Sequence, residues 1–98
     1  MDAATSDLRQ RIIECLQGVI DPETGIDVWR MRLIEDLSVS EDGQVSYVFR
    51  PSSPLCPIAV PLALAIQRAI GQLSEVSSQH IQVKDFIEAE LLTELLNS

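Results

Sequence analysis

The chain has 98 residues, which is enough for one small domain with a single core and too few for two. Apolar residues make up 46% of it and charged residues 22%, a balance that is typical of folded chains and excludes a disordered one. With 7 basic and 15 acidic side chains the formal net charge is −8, so the chain repels both nucleic-acid phosphates and anionic membrane surfaces.

The N-terminus has neither the basic nor the apolar region of a secretory signal, and no apolar run reaches the roughly 18 residues that a membrane span needs. We therefore predict a cytoplasmic protein that binds no nucleic acid and no membrane. In that reducing compartment the two cysteines, Cys15 and Cys56, have no reason to pair. We expect residues 1–98 to form one domain, with 1–6 as a flexible N-terminus.

The first predicted element is a helix with Ser6 as its N-cap, running to about Ile20. One apolar stripe recurs at helical spacing and comprises Leu8, Ile12, Cys15, Leu16 and Val19. Because Cys15 lies on that stripe with no polar or proline-rich surroundings, we interpret it as a core residue.

The segment Asp21-Pro22-Glu23-Thr24-Gly25 ends the first helix. Proline disfavours the helical conformation of the residue before it, and glycine permits a left-handed turn. Two carboxylates, Asp21 and Glu23, therefore share a short, stiff loop. From composition alone the simpler interpretation is a solvated turn in which Asp21 bonds its own backbone.

Two strands follow an ambiguous segment, Asp27 to Arg32, for which one turn of helix is one interpretation. Leu33 to Val39 reads as a strand, although Glu35 interrupts its apolar alternation. Asp42-Gly43 predicts a two-residue hairpin turn into a second strand, Gln44 to Arg50.

The next stretch, Arg50-Pro51-Ser52-Ser53-Pro54-Leu55-Cys56-Pro57, predicts a rigid loop that opens an apolar helix ending near Leu73. Proline suits the first position of a helix, so Cys56 is the predicted N-cap. A thiolate there faces free backbone N–H groups and the positive end of the helix dipole, which stabilise the anion. A free cysteine is more often a buried structural residue, but the flanking prolines and serines favour an exposed turn and a functional thiol.

His80 to Phe86 alternates as a third strand, which with the preceding helix forms a crossover unit if the flanking strands are parallel. Ile87 to Leu96 has helical spacing and is predicted to close the open side of the core or a dimer. His80 is the only histidine and has no evident ligand partner, so we leave it out of the candidate site.

These motifs, in this order and spacing, resemble the small iron–sulfur cluster assembly domains, which include SufT-like and PaaD-like proteins and eukaryotic cytosolic cluster-targeting relatives. The resemblance extends from about Leu8 to Phe86. It implies an α-β-β-α-β arrangement. With the C-terminal helix added, this agrees with the fold class predicted from the residues: α+β, one two-layer domain with a three-stranded mixed sheet.

The resemblance also assigns residues. The family's Asp-Pro-Glu falls on Asp21, Pro22 and Glu23, its reactive cysteine on Cys56, and a hydroxyl position usually held by threonine on Ser52. One departure stands out at Met31-Arg32-Leu33-Ile34, where relatives commonly have Leu-Gly-Leu-Ile or Leu-Gly-Leu-Val. Arg32 is expected either to fill space near the site or to help hold a thiolate.

The function that the resemblance implies is assembly of iron–sulfur clusters or maturation of client proteins, without catalysis. Cys56 would bind iron or a labile cluster transiently, Asp21 and Glu23 would tune the pocket or offer oxygen ligands, and Ser52 and Ser53 would donate hydrogen bonds to sulfur. A cluster usually has about four protein ligands. Because each chain offers one credible thiolate, we expect that no cluster is tightly bound. A homodimer would supply two thiolates, and the expected partners are assembly or client proteins.

Two alternatives stay open. The chain can be an interaction adaptor that docks assembly or oxygenase proteins and carries no cluster of its own. It can also be a thiol enzyme with Cys56 as nucleophile and a loop carboxylate as base, which we rank last because no histidine is placed to orient the thiol.

Overall fold

The computed structural model describes residues 3–98, with side chains described from residue 7 onward. The described residues form three helices and three strands: α1 (Ala3–Gln17), β1 (Ile34–Val39), β2 (Gln44–Phe49), α2 (Ala59–Gly71), β3 (Ser78–Val83) and α3 (Ala89–Asn97). The sheet order is β1-β2-β3, with β1 antiparallel and β3 parallel to β2. This confirms the predicted α+β class and the three-stranded mixed sheet.

One face of the sheet is buried and the other is mostly polar. Along the parallel pair, Tyr47 lies opposite Ile81 and Phe49 opposite Val83, and all four side chains are at most 4% exposed. The alternate residues of β3, including His80, are exposed. The period-two pattern of the sequence therefore marks the core face correctly.

Four residues, 40–43, connect β1 to β2, and not the predicted two. The Ser40 N–H donates to the Gln44 carbonyl (2.9 Å) and the Gly43 N–H donates to the Ser40 carbonyl (3.1 Å). A two-residue type I′ turn needs positive φ at both central residues, whereas here Gly43 has φ 82° and Asp42 does not. A side chain at Gly43 would also overlap the Glu75 carbonyl, so the turn is packed against the loop between α2 and β3.

Helix α1 begins at Ala3 and ends at Gln17, so the predictions of Ser6 as N-cap and of an end near Ile20 are wrong. Ile20 instead pairs with Asp27 in an isolated antiparallel bridge. Cys15 is half-buried and lies outside the core cluster, which corrects its assignment as a core residue. Of the segment 1–6 predicted to be flexible, residues 1–2 lie outside the described residues, as do the side chains of residues 3–6.

Helix α2 crosses between β2 and β3 and supplies much of the core. Its buried positions share one face and are Ala59, Leu62, Ala63, Ile66 and Ile70. The predicted bounds, Pro57 to Leu73, were too wide at both ends. Val60, on the opposite side, is 39% exposed.

Helix α3 lies along the open edge of β3 and satisfies its backbone groups with side chains. The Ile81 N–H donates to Asn97 Oδ1 (3.0 Å), and Asn97 Nδ2 donates back to the Ile81 carbonyl (2.6 Å). The Val83 N–H donates to Thr93 Oγ1 (3.0 Å). An exposed edge strand is a template for unwanted pairing, so α3 protects the sheet as well as closing the core through Leu92 and Leu96.

A chain of hydrogen bonds joins the sheet to helices α2 and α3. The Tyr47 hydroxyl donates to Gln79 Oε1 (3.1 Å), Gln79 Nε2 donates to the Gln67 carbonyl (2.9 Å), and Gln67 Nε2 donates to the Leu96 carbonyl (2.7 Å). Burial raises the pKa of the Tyr47 phenol above its usual range, because the charged form is poorly solvated there. Within residues 3–98, no helix has the length and apolar character to cross a membrane.

Candidate functional site

Cys56 lies in the loop between β2 and α2, which is held in successive turns. Its N–H donates to the Ser53 carbonyl (3.1 Å), and the Leu55 N–H donates to Ser53 Oγ (3.2 Å). Residues 52–55 are exposed, as the proline-serine pattern predicts. Cys56 itself is only 8% exposed and belongs to the core cluster, so the expectation that this residue is exposed is wrong.

The N-cap of α2 is Ile58, and Cys56 lies two residues before it. The prediction of Cys56 as N-cap is therefore wrong. Its cause is a tight turn in which the Cys56 carbonyl accepts the Ala59 N–H (3.3 Å), so that regular helix begins at Ala59 and not at Pro57. Ile58 makes no side-chain capping hydrogen bond, and the Leu62 N–H donates to the Ile58 carbonyl (2.9 Å) in the first turn of α2.

Asp21 lies in the second loop of the candidate site and is 2% exposed. It is the only buried polar or charged residue among those with described side chains. Its Oδ1 accepts the Glu23 N–H (2.8 Å), its carbonyl accepts the Gly25 N–H (2.8 Å), and its own N–H donates to the Ile26 carbonyl (2.9 Å). The self-bonded turn of the simpler interpretation is present, and within it Asp21 is buried while residues 22–26 are exposed.

The other candidate residues are more open. Glu23, Ser52 and Ser53 are all exposed, and the Ser53 oxygen already accepts a backbone N–H within its own loop. No group of three or more histidine, cysteine, aspartate or glutamate side chains that could hold a metal occurs among the described residues.

The structure brings the two loops together through apolar neighbours. A pocket of about 210 Å³ lies between the segment around Asp21 and the start of α2. The first side contributes Val19, Ile20 and Pro22, and α2 with its N-cap contributes Ile58, Pro61, Leu62 and Ala65. Pro22 directly follows Asp21, and Ile58 lies two residues after Cys56, but the lining includes neither Asp21 nor Cys56.

On its other side the cysteine loop meets the segment that follows β3. A pocket of about 590 Å³ is lined by residues 50–55 and 85–87. Arg50 Nε contacts Glu35 Oε1 (3.1 Å) and Asp85 Oδ2 (2.9 Å), and the Ile87 N–H donates to the Pro54 carbonyl (3.0 Å). These ion pairs and this hydrogen bond were not predicted from the sequence. The one sequence feature that points to them is an arginine at the junction of a strand and a proline-containing loop.

Arg32 has φ 61°, which is the left-handed conformation that favours glycine. The backbone thus keeps the shape that the glycine of the resembling proteins would supply, although the residue is a large cation. Its side chain is exposed and lines a surface pocket with Trp29, Arg30 and Ile34. That lining includes no residue of the loop that carries Cys56.

Comparison with known proteins gives a matching family and two curated relatives. The family described as "Iron-sulfur cluster assembly protein" matches residues 9–83. The chain is 29% identical over 76 residues to the Fe-S protein maturation auxiliary factor YitW of Bacillus subtilis, which covers 78% of this chain and 74% of the relative. It is 26% identical over 88 residues to the uncharacterized protein MJ1129 of Methanocaldococcus jannaschii, with coverages of 90% and 93%.

The fold is also similar to a solved structure. The crystal structure of a domain of unknown function, DUF59, from Bacillus anthracis superposes with a TM-score of 0.74 and 20% sequence identity. The superposition covers 95% of this chain and 91% of that one. At this level of identity the likeness concerns the fold alone.

Proposed function

Because the chain belongs to the iron–sulfur cluster assembly protein family, we propose that it serves the assembly of iron–sulfur clusters or the maturation of proteins that carry them. The observation that supports this most strongly is the extent of the family match, residues 9–83, which includes both the Asp21 loop and the Cys56 loop. The relative YitW, whose name describes an Fe-S protein maturation auxiliary factor, supports the same role.

We further propose that Cys56 is the residue that binds iron or a cluster, and that it does so transiently. Thiolates are the usual ligands of iron–sulfur clusters, and a stable site takes about four of them. Cys15 is half-buried on α1, so one chain offers a single cysteine at the candidate site. The remaining ligands would come from a second copy or from a client protein, and such incomplete ligation allows release.

Polar residues of the Asp21 loop and of the Cys56 loop would interact with iron or a cluster bound at Cys56. Asp21 is already fixed by its bond to the Glu23 N–H, so its carboxylate can shape the pocket without further ordering. Glu23 and Ser52 are exposed and free to turn toward a cargo that arrives with a partner, and the exposed Ser53 hydroxyl, whose oxygen accepts the Leu55 N–H, keeps its own O–H to donate. We propose oxygen ligation or tuning for the carboxylates and hydrogen bonds to sulfur for the serines.

Replacement of Cys56 tests this role in cells that depend on the protein. The first prediction is that Cys56→Ala, at wild-type protein level, leaves a client iron–sulfur enzyme largely inactive. Cys15→Ala is the matched control and should support normal client activity, because that thiol lies outside the site. Full client activity with Cys56→Ala would remove the proposed role of the cysteine.

One observation favours a second candidate, the interaction adaptor without its own cluster. Cys56 is 8% exposed and packs in the core cluster, as a purely structural cysteine would. An adaptor would tolerate Cys56→Ala in the maturation assay and lose activity only when its docking surface is changed. A thiol enzyme is less well supported, because the only histidine, His80, is exposed on β3.

A further inference from the structure

Four exposed apolar side chains form a surface feature that the proposed cluster chemistry does not use. They are Leu55 (70% exposed), Ile87 (70%), Leu91 (62%) and Leu95 (53%), and we call them the apolar stripe. Helix α3 already buries Leu92 and Leu96 against the core. A short surface helix that serves only its own core needs one apolar face, so the second face of α3 indicates a binding surface.

The stripe is continuous with the cysteine loop. Leu91 and Leu95 lie four residues apart on α3, the spacing of one side of a helix, and Ile87 lies in the turn just before that helix. The Ile87 N–H donates to the Pro54 carbonyl (3.0 Å), and Leu55 and Ile87 line the same pocket of about 590 Å³. A segment lying along the stripe would therefore end beside the loop that carries Cys56.

The charges around the stripe select its occupant. Glu88, Glu90 and Glu94 are exposed on the same short segment, and none of them forms an ion pair within the described part of the chain. The sequence has no lysine or arginine after Lys84. A second copy on this surface would bring like charges together, which is destabilising, whereas a basic segment would be attracted and oriented.

We propose that the apolar stripe docks a basic amphipathic segment of a partner protein, with apolar anchors against Leu91 and Leu95 and cations against the three glutamates. The proposal rests on the proposed function only in that the docked segment would belong to an assembly or client protein. Docking itself needs no cluster and no reaction at Cys56.

The test uses the full chain and a fluorescently labelled synthetic helix that carries leucines on one face and lysines on the other. Fluorescence anisotropy should show saturable binding that weakens with salt, as expected of a charged interface. Because Leu91 and Leu95 would lose their apolar contacts, the double variant Leu91→Ser with Leu95→Ser should weaken binding by at least about tenfold. Glu90→Gln with Glu94→Gln should weaken binding less and flatten its salt dependence.

The controls distinguish docking at this surface from non-specific hydrophobic binding. Ile26→Ser with Val60→Ser removes two other exposed apolar side chains and should bind the helix normally. A probe with serines in place of its leucines should not bind. Cys56→Ala should bind the helix as tightly as wild type. A loss of client maturation in that variant can then be distinguished from a loss of docking. Circular dichroism checks folding, and the single variants Leu91→Ser and Leu95→Ser replace the double variant if it unfolds.

Three results would overturn the proposal. One is absence of binding by the wild-type chain, and another is binding that the serine substitutions at Leu91 and Leu95 leave unchanged. The third is a wild-type dimer, seen by light scattering, that becomes a monomer with the same substitutions. That last result would assign the stripe to a second copy of this chain.

Discussion

Asp21 combines a structural and a proposed chemical role in one side chain. Its carboxylate is nearly inaccessible and accepts the Glu23 N–H at 2.8 Å, which holds the loop beside the apolar pocket. The sequence indicated the residue through Asp-Pro-Glu, and it even indicated the turn. It could not indicate the burial, which depends on how the loop packs in three dimensions.

The two roles of Asp21 predict different responses to two substitutions. Asp21→Ala removes a charge-assisted hydrogen bond and should lower the free energy of unfolding by about 1–3 kcal/mol. Asp21→Asn keeps an oxygen that can accept the same N–H and should cost less. Urea denaturation measures both, and client activity is measured in parallel. If Asp21→Asn folds normally and also matures clients normally, the carboxylate has no role in the chemistry.

Arg32 adopts a backbone conformation that costs a residue with a side chain roughly 1–2 kcal/mol relative to glycine. Arg32→Gly should therefore be more stable than Arg32→Ala by about 1 kcal/mol, since both remove the guanidinium and only glycine removes the strain. Chemical denaturation of the two variants gives the difference directly. Equal stabilities would show that the strain is relieved elsewhere in the loop.

At the scale of elements, the sequence predicted the order and type of every helix and strand but not how they are fastened together. The alternation of apolar and polar residues in β2 and β3, and the helical spacing of apolar residues in α1, identified the buried faces. Both patterns depend on local backbone geometry. The two hydrogen bonds between the Asn97 side chain and the Ile81 backbone depend on where α3 lies in space. The hydrophobic periodicity of the sequence carries no information about that position. The Cys56 N-cap failed for a related reason, because a local turn delays the helix by two residues.

The hydrogen-bonded chain from Tyr47 to Leu96 predicts a particular sensitivity to alkaline pH. The raised pKa keeps the phenol neutral in the folded state, so the unfolded state ionises first, near pH 10. The stability that the buried neutral phenol contributes is fully present below that pH and is lost as the pH rises further, by up to about 1.4 kcal/mol per pH unit. Tyr47→Phe should remove this loss.

Urea unfolding between pH 8 and 11 tests the prediction, with pH values chosen around the usual tyrosine pKa of about 10. At neutral pH, Tyr47→Phe should cost about 1 kcal/mol, because the Gln79 oxygen loses its donor. Parallel stability curves for wild type and variant across the alkaline range would contradict the buried, neutral phenol.

On the scale of the whole molecule, the loop that carries Cys56 lies at one end of the sheet. Strands β2 and β3 are parallel, so Phe49 and Val83 end at the same edge, and the loops after them meet through Arg50 and Asp85. The hairpin and Arg11, which pairs with Glu75, lie at the opposite end. From the sequence the parallel pairing of these strands stayed conditional, and the candidate site was predicted from the Asp21-Pro22-Glu23 and Cys56-Pro57 motifs.

The binding of iron and sulfide by the purified chain is the most direct test of the role proposed for Cys56. Reconstitution under anaerobic conditions should give visible absorption and bound iron with the wild-type chain and with Cys15→Ala, and neither with Cys56→Ala. A wild-type chain that stays colourless and binds no iron, or a Cys56→Ala variant that binds as much as wild type, would contradict that role.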